Sequence, residues 1–161
     1  MSRRWMIAAI AGACLACGPN HLLTDTSSTV MALASPDPRI STFITMTQAS
    51  GVSKLLRGHE PVTVLAPTNT ALYQLTPERI RFLMSTEGAA ELDALVKEYV
   101  FMGAYSSEDV ARGKLPRSLA GKRIKASKAS DGTPRVEGTG KMLASMKGSN
   151  GYVHIIDIVI R

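Results

Sequence analysis

The sequence predicts an α+β fold, because helix signals fill most of its first half and strand signals fill its second half. Apolar residues recur at helical spacing in the segment 87–99, which is the clearest amphipathic stretch. From Leu119 onward the apolar period changes to two, and Asp131-Gly132 supplies a hairpin turn signal. The chain has 161 residues, which is enough for one domain with a sizeable core.

Helix starts are predicted where a side chain that can cap a helix precedes a proline or an acidic residue. Asp37-Pro38 and Thr76-Pro77 both have this pattern, and Ser106 precedes two acidic residues in a segment that Gly113 closes. Asn69 follows a proline-ended strand and is predicted to cap a short helix.

The predicted strands are bounded by prolines and turn residues. The first covers 61–66, where β-branched residues alternate before Pro67 ends the run. The later strands are predicted at 122–125, 135–137, 142–146 and 152–160, with a second turn signal at Ser149-Asn150-Gly151.

The N-terminus has the pattern of an export signal. Arg3 and Arg4 precede an apolar run over residues 5–13, and small residues follow it. This run is too short to span a bilayer, which needs about 20 apolar residues. A buried N-terminal helix is the alternative, but such helices rarely lack every polar residue. We therefore predict a signal peptide at 1–17, a tether at 18–35 and one domain at 36–161.

Both cysteines of the chain, Cys14 and Cys17, lie in the predicted signal peptide. The segment resembles a bacterial lipoprotein signal, in which the cysteine after the cleavage site is acylated. Cys17 is the predicted lipidation site and Cys14 is the second candidate, while Ala11-Gly12-Ala13 also fits an ordinary cleavage site. The predicted domain has no cysteine, which excludes from it a disulfide, a zinc–thiolate site and a cysteine nucleophile.

Three segments, in this order, resemble the motifs of the fasciclin (FAS1) domain family. They are TVLAPTNTAL at 63–72, LVKEYVFMGAYSSEDV at 95–110 and NGYVHIIDIVI at 150–160. The resemblance covers residues 36–161. The residues that it marks as structural or binding positions are Thr63, Pro67, Thr68, Asn69, Tyr99, Gly103, Tyr105, Asn150, Gly151, His154 and Asp157.

The resemblance implies a β-sandwich-like wedge of about seven strands flanked by several short helices. Family members are extracellular or surface-attached, many mediate adhesion, and bacterial single-domain members are secreted or lipid-anchored. It therefore implies an exported, non-enzymatic adhesion or binding module in the periplasm, at the cell envelope or secreted, with cell-surface, matrix or envelope partners. An anionic polysaccharide is one candidate partner. A small-molecule or lipid carrier with an apolar pocket is the alternative.

Chemistry at His154 and Asp157 is the main enzymatic alternative. Residues three apart in a strand point to opposite faces, so these two side chains do not converge easily. We therefore expect hydrogen-bonded structural roles for both, with Asp157 holding the final strand against the first motif segment. Asn69 is expected to cap and brace a loop rather than contact a ligand. No histidine pair has the spacing of metal ligands and no nucleophile–base pair is apparent, so no metal, cofactor or catalytic residue is expected.

Between residues 114 and 128 the sequence has six basic residues and no acidic one. These are Lys114, Arg117, Lys122, Arg123, Lys125 and Lys128. A strand edge that uses lysine against aggregation is one explanation. Binding of an anionic polymer or of lipid headgroups is the functional alternative. Nucleic acid is not expected, because export is predicted and no aromatic residues alternate with the charges.

Overall fold

The computed structural model of the protein describes residues 22–24 and 27–160. The predicted signal peptide, with Cys14 and Cys17, lies outside the described residues, as does the first part of the predicted tether. Among the described residues, no helix is long and apolar enough to cross a membrane.

Strands and short helices alternate along the described chain. The strands are β1 Leu22–Thr24, β2 Val62–Pro67, β3 Val100–Met102, β4 Ala126–Lys128, β5 Pro134–Val136, β6 Gly140–Gly148 and β7 Gly151–Ile156. The α-helices are α1 Val30–Ala34, α2 Ser41–Ala49, α3 Ser53–Leu56, α4 Asn69–Leu72, α5 Pro77–Leu83, α6 Ala89–Glu98 and α7 Ser107–Ala111. A 3₁₀ turn at Pro38–Ile40 precedes α2. The predicted α+β class is confirmed.

The strands form one sheet in the order β3-β2-β7-β6-β5-β4. β2 and β7 pair in parallel, whereas β6 pairs antiparallel with both β7 and β5. β1 pairs in parallel with the second half of β6. The parallel pairing joins two strands from opposite ends of the domain, so the first and third motif segments lie side by side.

The core covers both faces of the central strands. Every residue of β2 is buried, as expected for a parallel strand covered on both faces. On one face Val64, Ala66 and Val153 pack against α1 and α2, where they meet Phe43 and Ile44. The opposite face of β2 and β7 carries the polar motif residues described below.

Local capping signals predict the starts of the 3₁₀ turn, of α5 and of α7. Asp37, Thr76 and Ser106 each accept a backbone N–H in the first turn of the following helix, which confirms these starts. The cap predicted at Asn69 is wrong. Thr68 caps α4 by accepting the N–H of Ala71, because its backbone is extended while Asn69 is already helical.

The strand predicted at 122–125 is also wrong, because β4 lies at 126–128. The Asp131-Gly132 turn, which is confirmed, sets the pairing of β4 with β5 so that Lys128 lies opposite Pro134. Lys128 therefore belongs to the strand rather than to the following turn. Arg123 forms only an isolated bridge with Arg117.

The packed domain begins before residue 36, inside the segment predicted as a tether. α1 packs against β6 and β7, and Val30, Met31 and Ala34 are buried. Thr29 caps this helix. A helix of five residues is too short to show periodicity in a sequence, which is why composition alone favours a tether here.

Candidate functional site

The motif residues of β2 and β7 hold the loop that follows β3. The hydroxyl of Thr63 donates to the carbonyl of Gly103 at 2.7 Å and accepts the N–H of Tyr105 at 2.8 Å. Gly103 has a φ of 105°, and a Cβ at this position would lie 2.6 Å from the Tyr105 ring. Thr63 is fully buried, so both of its hydrogen bonds replace contacts with water.

His154 connects the same loop to β6. Its Nε2 atom lies 2.8 Å from the carbonyl oxygen of Tyr105, which can only accept, so Nε2 carries the proton. Its Nδ1 atom then accepts the hydroxyl of Ser145 at 2.9 Å. Burial lowers the pKa of His154 to about 4, although the bond to Tyr105 opposes this shift. The imidazole is therefore neutral at physiological pH.

The Ser145–His154 contact places a hydroxyl beside an imidazole, and the sequence does not single out Ser145. Its only sequence signal was a serine in a predicted strand. Ser145 is 8% exposed and His154 is fully buried, so a substrate carbonyl cannot reach the hydroxyl in this arrangement. Together with those of Thr63, these contacts brace three strands and a loop.

Asn150 lies in the turn between β6 and β7, and Gly151 is the first residue of β7. The Asn150 side chain accepts the N–H of Val30 at 2.8 Å and donates to the carbonyls of Leu56 and Gly58. Gly151 has a φ of 139°, and a Cβ there would lie 1.7 Å from the Val62 oxygen. The turn therefore anchors α1, the end of α3 and the start of β2.

Asn69, next to the buried Pro67 and Thr68, braces the segment before α2. Its side-chain oxygen accepts the N–H of Thr42 at 3.0 Å, and its amide donates to the Pro38 carbonyl and the Ser41 hydroxyl. All the hydrogen-bonding groups of the amide are thus engaged by protein atoms.

Tyr99 lies at the C-terminal end of α6 and is 1% exposed. Its ring packs edge-on against Phe43, and its hydroxyl accepts the N–H of Ile160 at 3.1 Å. Burial raises the pKa of Tyr99 to about 12, and the charge of Glu98 acts in the same direction. This side chain fixes the chain end after β7 to the helical layer.

Asp157 is half-buried just beyond β7, and its carboxylate accepts the N–H of Lys141 at 2.6 Å. The contact is with the start of β6 rather than with the first motif segment, which corrects the sequence-based expectation. The reason is that β7 lies between β6 and β2, and Asp157 follows its end on the β6 side. His154 and Asp157 do not share a contact.

The basic segment, residues 114–128, is partly neutralised by acids from other elements. Lys114 pairs with Asp109 at 2.9 Å, and Lys122 pairs with Glu98 at 3.1 Å. Hydrogen bonds from Lys114 and Ser106 lower the pKa of Asp109 to about 2. These two lysines are therefore engaged within the protein.

The other four basic side chains of this segment are exposed. Arg117 and Arg123 face each other across an isolated bridge, and Arg117 donates to the Gly121 carbonyl. Lys125 directly precedes β4, and Lys128 is the last residue of β4. Within residues 27–160, no carboxylate forms a salt bridge with any of these four, so their charges face solvent.

Internal space in the described part is small. The apolar gap between α1, α2 and the sheet measures about 10 Å³, which is close to the minimum for one water molecule. A surface groove of about 260 Å³ lies between α5 and α6, where Arg79 and Glu91 border Leu83 and Leu95. Among the described residues, no group of three or more His, Cys, Asp or Glu side chains is placed to hold a metal ion.

Comparison with known proteins identifies the family. The Fasciclin domain matches residues 38–161, so the chain belongs to the fasciclin family. A FAS1 domain pair from the insect cell adhesion molecule Fasciclin I superposes with a TM-score of 0.74 at 15% identity. That match covers 84% of this chain and 51% of the other. The predicted FAS1-type fold is confirmed.

Relatives at higher identity come from bacteria and animals. Protein sll1483 of Synechocystis sp. is 30% identical over 137 residues, which cover 85% of this chain and 75% of that protein. Protein sll1735 of the same organism is 29% identical, with 81% and 96% covered. The pig transforming growth factor-beta-induced protein ig-h3 is 31% identical over 88% of this chain, but the match spans 20% of that protein. The fasciclin domain is an adhesion-type module, often found in secreted or surface proteins.

Proposed function

We propose that the chain is an exported, surface-attached binding module of the cell envelope, with a cell-surface, matrix or envelope component as partner. The predicted signal peptide would direct export, and acylation at Cys17, or alternatively Cys14, would attach it to a membrane. The motif residues Thr63, His154 and Asn150 then serve to hold the scaffold.

The observation that carries this proposal is the group of exposed, unpaired cations. In the part of the chain that the structure describes, Arg117, Arg123, Lys125 and Lys128 lie on the surface without a carboxylate partner. Unpaired surface charges of one sign attract a partner of opposite charge and speed its association. An anionic partner fits this surface best.

A carrier function has less support. Sites for small ligands have volumes of about 300–1,000 Å³ and are mostly apolar. The apolar gap inside this domain measures about 10 Å³, and the grooves of about 260 Å³ and about 290 Å³ on either side of α5 are open to solvent. A binding surface therefore explains the structure better than an internal pocket.

Pull-down of envelope extracts with the tagged protein tests the proposal. We expect a component that is captured at 0.1 M salt and released near 1 M, because the Debye length falls from about 10 Å to about 3 Å. Replacing Arg123, Lys125 and Lys128 by Gln should reduce capture while the melting temperature changes little. The variant K54Q/R57Q removes exposed charge from α3 and its end, and it serves as a control. Equal capture by wild type and the triple variant would contradict the proposal.

A further inference from the structure

A row of polar and basic side chains crosses β4, β5 and β6. Arg135 in β5 lies directly opposite Lys141 in β6, and Ser127 in β4 lies directly opposite Arg135. Residues directly opposite each other project from the same face of a sheet. Val136, which follows Arg135 and points the other way, is fully buried, so the row lies on the solvent face.

The Arg117–Arg123 bridge continues this row. Exposure alternates along residues 123–127, where Arg123, Lys125 and Ser127 are exposed and Ile124 between them is buried. Alternation places the three exposed side chains on one face. Residues 124–127 therefore link the two opposed basic pairs, and of these only Ala126 and Ser127 belong to β4.

We name the five cations of this row the basic stripe: Arg117, Arg123, Lys125, Arg135 and Lys141. At about 3.3 Å per residue, the backbone from Arg123 to Ser127 spans at most about 13 Å. At about 4.8 Å per strand, Lys141 lies about 10 Å to the side of Ser127. The stripe is therefore bent: one arm of at most about 13 Å follows residues 123–127, and the other crosses the strands over about 10 Å.

The charges of the basic stripe are not neutralised by salt bridges within residues 27–160. The acidic residues Glu137, Asp157 and Asp131 lie beside it and keep their charge, but each accepts a backbone N–H rather than forming a salt bridge with the stripe. Glu137 accepts the N–H of Lys125 at 3.0 Å, Asp157 accepts that of Lys141, and Asp131 bonds within its own turn. Like charges directly opposite each other destabilise a sheet, so both basic pairs carry a local cost.

We propose that the basic stripe binds a linear acidic polysaccharide, an inference that rests on the proposed binding function and names its partner class. Arginine guanidinium groups bind carboxylate or sulfate groups with paired hydrogen bonds. Ser127, between the two basic pairs, offers a hydroxyl to a neutral part of the polymer. A polymer with negative groups at intervals can contact both arms of the stripe, whereas a single small anion cannot.

A membrane surface fits the basic stripe less well than a polysaccharide does. Amphipathic helices that bind membranes combine a basic face with apolar side chains that insert below the headgroups. Among the described residues, the exposed large apolar side chains Tyr73, Phe82 and Met84 lie on or beside α4 and α5 and Met102 ends β3, which leaves Leu143 near the stripe. The stripe itself is polar along its length.

Binding of the full chain to immobilised heparin and to polygalacturonate tests the inference. The variants R117Q/R123Q and R135Q/K141Q each remove one opposed pair. We expect each to lower the affinity by about tenfold or more at 0.1 M salt. The control K54Q/R57Q also removes two positive charges. These residues lie near the opposite end of β6, where Asn150 donates to the Leu56 carbonyl. The control should therefore bind like wild type.

Several outcomes would contradict the inference that the basic stripe binds an acidic polysaccharide. Wild-type affinity in R135Q/K141Q, or an equal loss in K54Q/R57Q, would show that the two pairs do not act as one site. Binding to phosphatidylglycerol vesicles but to neither polymer would replace the polysaccharide by a membrane. Melting curves show whether each variant is folded. If a double variant is unstable, the binding of the single variants R123Q and K141Q decides instead. Envelope capture without polysaccharide binding would refute this inference and leave the binding function intact.

Discussion

At the scale of single residues, Gly151 shows how closely two strands approach. Its φ is 139°, and a Cβ added there would lie 1.7 Å from the Val62 oxygen, which leaves no room for a side chain. We predict that G151A lowers the free energy of unfolding by at least about 2 kcal/mol, measured by urea denaturation. G138A is the matched control: its φ is 78°, but no atom lies within 4 Å, so it should cost about 1 kcal/mol. An equal loss of stability in G151A and G138A would show that Gly151 does not lie this close to Val62.

His154 makes the stability of the fold depend on pH. The pKa of a histidine is ordinarily 6.5, and that of His154 is about 4 in the folded protein, because burial disfavours the charged ring. The unfolded chain therefore binds the proton more readily. Stability from this residue is complete above about pH 6.5 and falls as the pH decreases towards 4, by up to about 3 kcal/mol.

Denaturation of wild type and H154Q between pH 7 and pH 4.5 measures this dependence. H154Q should be less stable than wild type at pH 7 but should lose less stability on acidification. H59Q, which changes an exposed histidine, is the matched control and should follow wild type. An identical acid response in wild type and H154Q would show that protonation of this ring does not oppose folding.

At the scale of elements, Asp157 joins the beginning of β6 to the end of β7. Its carboxylate accepts the N–H of Lys141 next to the irregular pairing between Met142 and Ala144. We predict that D157A lowers the free energy of unfolding by about 1–3 kcal/mol, because the N–H loses its acceptor. D157N keeps an acceptor and should lose less. A D157A melting curve that matches wild type would exclude this role.

The sequence predicts elements best where the signal is local. Caps at Asp37, Thr76 and Ser106 depend on contacts within a few residues, so residue type and spacing suffice. The same reasoning errs at Asn69, because Thr68 beside it can also cap and only the surrounding fold decides between them. Asn69 instead contacts residues about 30 positions earlier, which no local pattern reveals.

Features that depend on strand register are harder to predict from the sequence. The basic segment is visible in the sequence, but its pairing with Glu98 and Asp109 depends on helices elsewhere in the fold. Arg135 and Lys141 do not stand out in the sequence, because their opposition follows from the pairing of β5 with β6. Ser145 escapes notice for the same reason, since its partner His154 lies opposite it only in the paired strands.

At the scale of the whole molecule, anchoring is a prediction that falls outside the described residues. We expect Cys17 to be acylated, because the predicted signal peptide ends there and the remaining chain has no cysteine. Palmitate labelling of wild type and C17A in bacterial cells measures this, with loss of label expected in C17A. Label lost in C14A but kept in C17A would move the site, and no label in wild type would rule out the lipid anchor.

The central claim is that the folded chain is a binding module that recognises an anionic component at the cell surface. Binding of the fluorescently labelled protein to intact producing cells tests it most directly. We predict saturable binding that unlabelled protein competes away and that declines between 0.1 M and 1 M salt, as charge screening requires. Binding that does not saturate, or saturable binding that R117Q/R123Q and high salt leave unchanged, would contradict the account.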